Sequence, residues 1–93
     1  MDAVDIVHMN LTNDVQVVKN EIKRVFHRQP RWKTHHLMNT VRNKLNPDYT
    51  NKYTASHFGL AKFKLMEEGF MHWDDDGFLR PGPHPTKGPL REY

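Results

Sequence analysis

Apolar side chains recur every three or four residues between positions 15 and 26, which predicts the first helix of the chain. These positions share one helical face and are Val15, Val18, Ile22, Val25 and Phe26. The polar run Thr12-Asn13-Asp14 precedes them and supplies side chains that cap a helix. Pro30 follows them, and the residue before a proline avoids helical backbone. We therefore predict a helix over about residues 13–28.

A second helical pattern begins at Thr34 and ends at Asn46, where Pro47 removes a backbone donor. Its inner face carries Leu37, Met38, Val41 and Leu45. A third helix is predicted over 54–68, and its inner face carries Phe58, Ala61 and Leu65. The hydroxyl of Thr54 or of Ser56 caps its start. Gly69 suits the left-handed conformation that ends a helix, with Phe70 folding back on the last turn.

A short hairpin is predicted directly after the third helix. Residues 71–73 and 78–80 flank the sequence Asp74-Asp75-Asp76-Gly77, and Asp-Gly is a strong hairpin turn signal. Upstream of the helices, residues 1–11 place Val7, Met9 and Leu11 at every second position. That spacing predicts a short strand or an extended N-terminal arm. The last segment, 81–93, holds four of the six prolines and is expected to be extended or disordered.

Charge is distributed unevenly along the chain. The formal net charge is +3, yet residues 19–64 hold eleven bases and two acids, and residues 65–76 hold five acids and no base. Such polarity creates a field that attracts a polyanion to the middle of the chain. A basic, solvated helical surface without a ligand is the alternative explanation.

The third helix and the hairpin together resemble a known pattern. A helix that ends in Leu-Met-Glu-Glu-Gly-Phe-Met and continues into a hairpin is similar to the recognition helix and wing of the winged helix-turn-helix superfamily. The resemblance covers about residues 13–80 and implies a small α+β domain, over 12–80, of three helices and a β-hairpin wing. It also implies that Arg31-Trp32-Lys33 forms a small strand that joins the wing sheet. An all-helical bundle is the alternative fold.

The predicted core combines the inner faces of the helices with aromatic residues from the connections. It consists of Val15, Val18, Ile22, Phe26, Trp32, Leu37, Val41, Leu45, Phe58, Leu65, Phe70 and Trp73. Two features depart from the winged-helix pattern. The connection before the third helix is longer than that of a tight helix-turn-helix, and the wing carries three aspartates, which repel phosphates.

The resemblance implies a DNA-binding protein, a small transcriptional regulator whose helix 54–68 enters the major groove of double-stranded DNA. On that helix, the candidate contacts are Ser56, His57, Gly59 and Lys62. The basic residues expected to hold phosphates are Arg28, Arg31, Lys33, Arg42, Lys44, Lys52 and Arg80. A homodimer formed through the N-terminal arm would suit a palindromic operator.

A protein-binding adaptor is the alternative function. In that hypothesis the protein grips a polymerase or another DNA-bound protein, using Leu60, Phe63, Asp74, Asp75, Asp76 and the proline-rich tail. Apolar anchors such as Phe63 would supply most of the affinity. The acidic wing would contribute specificity and association rate.

Composition argues against several other classes of protein. The chain has no cysteine, which excludes disulfides, thiolate zinc sites and cysteine nucleophiles. The adjacent His35 and His36 point about 100° apart on a helix and make a poor metal pair. No phosphate loop or nucleophile motif is present, so we expect no enzyme activity, no metal and no cofactor. No signal peptide and no apolar run of membrane length are seen, which predicts the cytoplasm, or the host cytoplasm for a viral protein.

Overall fold

A computed structural model describes residues 3–47 and 52–84, with the side chains of residues 3–11 outside that description. In chain order the elements are α1 (Ala3–Arg28), α2 (Thr34–Leu45), α3 (Ala55–Glu67), β1 (Met71–Trp73) and β2 (Leu79–Pro81). The fold is therefore α+β: three helices followed by a two-stranded antiparallel hairpin. Within the described residues, no helix is both long enough and apolar enough to cross a membrane.

The first helix begins earlier than predicted. It starts at Ala3, so the strand or extended arm predicted for 1–11 is wrong over residues 3–11. Thr12-Asn13-Asp14 lies inside the helix and does not cap it. The physical reason is that no proline or glycine precedes Pro30. A helix that has already nucleated extends by one hydrogen bond per added residue until something stops it.

The core lies where α1 packs against α2 and α3. Its buried apolar residues are Val15, Val18, Ile22, Val25, Phe26, Leu37, Val41, Phe58, Ala61, Leu65, Met66, Met71 and Leu79. Three other predicted core residues, Trp32, Leu45 and Phe70, are half-buried and pack against this cluster. The chain therefore buries the predicted helical faces and adds Met71 and Leu79 from the hairpin.

Trp73 was predicted as core, and this prediction is wrong, because its side chain is 37% exposed. Side chains alternate along a strand, so Met71 and Trp73 point to the same face of the hairpin. Met71 lies over the helices and is buried. Trp73 comes two residues later, about 7 Å further along the strand, where it lies at the rim of the core.

A third chain segment joins the hairpin through a single residue pair at Trp32, whereas the resemblance implied a small strand over residues 31–33. Its own register pairs Met71 with Pro81, His72 with Arg80 and Trp73 with Leu79. The Trp32 N–H donates to the Leu79 carbonyl at 3.0 Å, and the Leu79 N–H donates to the Trp32 carbonyl at 2.7 Å. This reciprocal antiparallel pair fixes the connection between α1 and α2 against the hairpin.

The junction of α3 with the hairpin follows its sequence signal. Gly69 adopts a φ of 80°, and its N–H donates to the Met66 carbonyl at 3.1 Å. The Phe70 N–H donates to the Leu65 carbonyl at 2.9 Å, which completes the hydrogen-bond pattern of a Schellman C-cap. The predicted tail starts later than position 81, because Pro81 belongs to β2. Residues 85–93 lie outside the described residues.

Candidate functional site

The N-terminus of α3 is held by a reciprocal cap. The Thr54 hydroxyl accepts from the His57 N–H at 3.4 Å, and His57 Nδ1 accepts from the Thr54 N–H at 3.0 Å. This is a capping box in which histidine takes the place usually held by glutamate or glutamine. The cap satisfies two backbone donors and fixes the direction in which α3 leaves the preceding connection.

His57 is therefore placed in the cap, and its side chain is only 15% exposed. Because Nδ1 accepts a hydrogen bond, the hydrogen-bond network assigns the ring proton to Nε2. Nε2 lies 3.8 Å from Asp14 Oδ2 on α1. The sequence predicted His57 as a DNA contact, which stays a prediction, and the structure places its side chain in the cap of α3 and beside Asp14 of α1.

A different face of α3 points outward. Phe58, Ala61 and Leu65 are buried beneath the helix. The opposite side presents Ser56, Gly59, Leu60, Phe63 and Lys64, which we call the outward face of α3. At its centre Leu60 is 41% exposed and Phe63 is 52% exposed. Apart from its chain neighbours and its own helix backbone, no atom of the described residues lies within 4 Å of where a Cβ at Gly59 would be, so the space around Gly59 is open in that part of the chain.

Lys62 and Trp73 connect α3 to the hairpin. The Lys62 ammonium lies 5.2 Å from the centre of the Trp73 ring, within the range of a cation–π interaction. Lys62 is half-buried. This contact places one of the predicted DNA-binding residues beside the outward face of α3, with its charge over the exposed indole.

The acidic turn of the hairpin is partly compensated by arginine. Arg80 Nε donates to Asp74 Oδ2 at 2.8 Å. Arg31 Nη2 lies 3.8 Å from Asp76 Oδ2, and its guanidinium stacks on the Phe78 ring with Cζ 3.6 Å from the ring centre. Arg31 and Arg80, both predicted to hold phosphates, are thus engaged with the hairpin itself.

Asp74 organises the turn from within. Its Oδ1 accepts from the N–H groups of Asp76 and Phe78, each at 2.9 Å. The hydrogen bond from Arg80 and then the Phe78 N–H hold the pKa of the Asp74 carboxyl below its ordinary value. Asp75 is exposed and has no partner among the described residues.

Arg42, another predicted phosphate contact, supports the start of α3. Its Nε donates to the Tyr53 carbonyl at 3.1 Å. Asn46 Nδ2 donates to the same carbonyl at 2.8 Å, and the Tyr53 N–H donates to Asn46 Oδ1 at 2.9 Å. These bonds fasten the end of α2 to the residue before the cap of α3. The partners are seven and eleven residues away, beyond the reach of a local pattern.

Five further bases are exposed at or near the ends of the helices and on α3. They are Arg28, Lys33, Lys44, Lys52 and Lys64, which we call the open bases. Lys33 and Lys52 lie over aromatic rings, at 5.6 Å from Phe78 and 5.4 Å from Tyr53. Within the described chain, none of the open bases forms an ion pair with a carboxylate. Lys64 was not among the predicted contacts, although it is exposed on α3.

Two basic residues of α1 form ion pairs with carboxylates of the protein itself. Lys19 pairs with Glu68 at 2.6 Å and joins α1 to the C-terminal end of α3. Arg24 pairs with the buried Glu21 at 2.6 Å. Among the described residues, no group of three or more histidine, aspartate or glutamate side chains is gathered in the way that a metal site requires.

Comparisons with protein-family models, curated proteins and solved structures find no match to this chain. The surface itself combines a capped helix, an apolar outward face and lysines that lack acidic partners within the described residues. Such a surface suits a ligand that is both negatively charged and able to contact apolar side chains.

Proposed function

We propose that this protein binds double-stranded DNA as a small winged-helix regulator of transcription, with the outward face of α3 in the major groove. The observation that carries the proposal is the placement of α3. Its ends are fixed by Thr54 and Gly69, its inner face is buried, and its outward face is open. The pairing of Trp32 with Leu79 supports the winged-helix arrangement, in which a small strand joins the hairpin.

The electrostatics support the same proposal. The open bases attract phosphates, and such contacts position a protein on DNA without reading its sequence. Two of the three aspartates in the hairpin turn are paired with Arg31 and Arg80, which reduces their repulsion of a phosphate backbone. Three of the open bases follow one another along α2, the connection and α3. They are Lys44 at the end of α2, Lys52 in the connection and Lys64 in α3.

The experiment is a salt titration of duplex binding, followed by fluorescence anisotropy. If about four phosphates are neutralised, log K falls with log salt at a slope of about −4, and affinity drops roughly 200-fold between 50 and 200 mM salt. Replacing Lys44, Lys52 and Lys64 with glutamine removes about three of these contacts, and the slope should fall to about −1. Lys23→Gln is the matched control, since Lys23 is an exposed lysine on α1.

A triple variant that keeps the wild-type slope would contradict the assignment of those lysines. Salt-independent binding, or no binding at about 50 mM salt, would contradict DNA binding itself.

A protein-binding adaptor is the second candidate, and one observation favours it. Of the four exposed large apolar side chains in the described chain, three (Leu60, Phe63 and Trp73) belong to α3 and β1. Large contiguous apolar patches mark protein contacts, and Leu60 and Phe63 are neighbours on one face of α3. Retention of one protein on immobilised wild-type chain, lost with Phe63→Ala and with Asp75→Asn, would favour the adaptor. Asp75 is the informative aspartate, because changing Asp74 would also disturb the turn.

A further inference from the structure

The outward face of α3 has few groups that read bases by hydrogen bonds. The helix contains no arginine, asparagine or glutamine, the side chains that make most bidentate contacts with guanine and adenine. Ser56 lies in the first turn, and a serine hydroxyl can form a hydrogen bond with either kind of base edge, so it discriminates little between bases. Lys64 carries a single ammonium, which binds a phosphate as a point charge and lacks the planar fork of an arginine side chain. Lys64 therefore suits a phosphate better than a base.

The centre of the outward face of α3 is apolar. Leu60 and Phe63 are three residues apart and both are largely exposed. Gly59 adds no side chain beside them, and a Cβ there would meet none of the described residues within 4 Å other than its chain neighbours and its own helix backbone. The apolar feature of a base pair in the major groove is the C5-methyl group of thymine.

We infer that α3 reads thymine C5-methyl groups through Leu60 and Phe63, so that the protein prefers duplexes that present thymines in the major groove. The inference rests on the proposed DNA binding and adds the chemical feature that is recognised. Charge complementarity favours this occupant over the first three turns of the face, where Lys64 and the preceding Lys52 have no acidic partners among the described residues, while Glu67 lies at its C-terminal end. A polyanion with methyl groups in its groove matches both properties of the surface.

The magnitude follows from the area that a methyl group buries. Burying one such group between apolar side chains favours binding by about fourfold. Two methyl contacts, one for each apolar side chain, would give roughly 15-fold. The phosphate contacts contribute equally to every duplex of the same length, so they cancel in a ratio of affinities.

The test compares duplexes that differ only in methyl groups. Alternating poly(dA-dT) and alternating poly(dA-dU) of equal length have the same phosphates and the same hydrogen-bonding groups, but uracil lacks the methyl. We expect poly(dA-dU) to bind at least about fourfold more weakly at equal salt, with an unchanged salt slope. Replacing cytosine with 5-methylcytosine in a G·C duplex should strengthen binding, because it restores a methyl at the same edge of the base.

Variants assign the effect to α3. Phe63→Ala and Leu60→Ala should each bring the ratio of the two affinities towards one, while the salt slope stays the same. Both side chains are exposed, so the fold should survive, and a thermal melt checks this. Val17→Ala is the matched control, because Val17 is an apolar side chain of α1 that is 37% exposed. It should leave the ratio unchanged.

The possible results distinguish a failure of methyl recognition from a failure of DNA binding. Equal affinity for the thymine and uracil duplexes, with normal salt dependence, overturns methyl recognition and leaves DNA binding in place. The absence of binding to every duplex overturns both. A ratio that persists in the Phe63→Ala and Leu60→Ala variants overturns the assignment to the outward face of α3.

Discussion

His57 shows how one side chain can serve the fold at a place where a ligand contact was expected. Its ring accepts the Thr54 N–H, faces Asp14 across the α1–α3 interface and packs edge-on to Tyr53 with the ring centres 6.4 Å apart. His57 therefore helps to fix the direction of α3 relative to α1.

Replacing His57 tests this role. His57→Ala removes one half of the capping box and should lower stability by about 1 kcal/mol. For a domain of this size that corresponds to a fall in melting temperature of about 4–8 °C. His57→Gln keeps a side chain that forms capping boxes, so it should lose less. Equal losses in the two variants, measured by thermal unfolding, would show that the cap contributes little.

Asp74 gives the hairpin a pH dependence of known sign. Its pKa in the folded state lies below the ordinary value of 3.8 because Arg80 and two backbone N–H groups stabilise the carboxylate. The stability that this carboxylate contributes is therefore present above that ordinary value and is lost as the pH falls through the folded pKa.

Urea unfolding at several pH values checks this expectation. Asp74→Asn should be less stable than wild type at about pH 7, and the difference should shrink as the pH is lowered below about 4. Asp75→Asn is the control, since Asp75 has no partner among the described residues and should behave as wild type. A difference for Asp74→Asn that stays constant with pH would assign its effect to turn geometry instead of charge.

At the scale of elements, α3 and the C-cap that follows it contain two glycines with opposite requirements. Gly59 lies in the middle of the helix, where a methyl group would meet none of the described residues within 4 Å other than its chain neighbours and its own helix backbone. Gly69 ends the helix with a φ of 80°, a conformation that residues with a side chain rarely adopt. The same substitution should therefore have opposite effects ten positions apart.

Gly59→Ala should stabilise the protein by about 0.5–1 kcal/mol, because alanine has the higher helix propensity. Gly69→Ala should destabilise it by about 1 kcal/mol, because the C-cap requires the left-handed conformation. Chemical unfolding of the two variants beside wild type measures both values. If Gly59→Ala is also destabilising, the space beside Leu60 and Phe63 is occupied in the folded protein.

The elements that the sequence predicted well are those with local signals. Gly69 follows the end of α3, and the Asp-Gly sequence forms the turn of the hairpin. Both glycines adopt a positive φ, which few other residues do, so the sequence signal is strong. The start of α1 could not be located, because no residue before Thr12 stops a helix. The proposed dimer contact remains a prediction, since it involves residues 1–11, whose side chains lie outside the described part of the chain.

At the scale of the whole molecule, the candidate site was predicted less completely than the fold. Basic residues could be recognised from sequence, but their partners could not. Arg31 meets Asp76, which lies 45 positions along the chain, and Arg42 meets the Tyr53 carbonyl. Contacts between residues far apart in the sequence therefore decide which basic side chains are left without a partner in the described chain. The apolar character of the outward face of α3 was visible in its sequence, since Leu60 and Phe63 fall off the buried stripe.

The pairing of Trp32 with Leu79 has a consequence for the order of folding. The two residues are 47 positions apart, and closing a flexible loop of that length costs roughly 3 kcal/mol of chain entropy. Two hydrogen bonds do not offset that cost by themselves, so the packing of α1 on α3 must bring the segments together first. In pulse-labelled hydrogen exchange during refolding, the amides of Trp32 and Leu79 should gain protection after those of α1 and α3. Protection at the same time would mean that the connection at Trp32 already belongs to the folding nucleus.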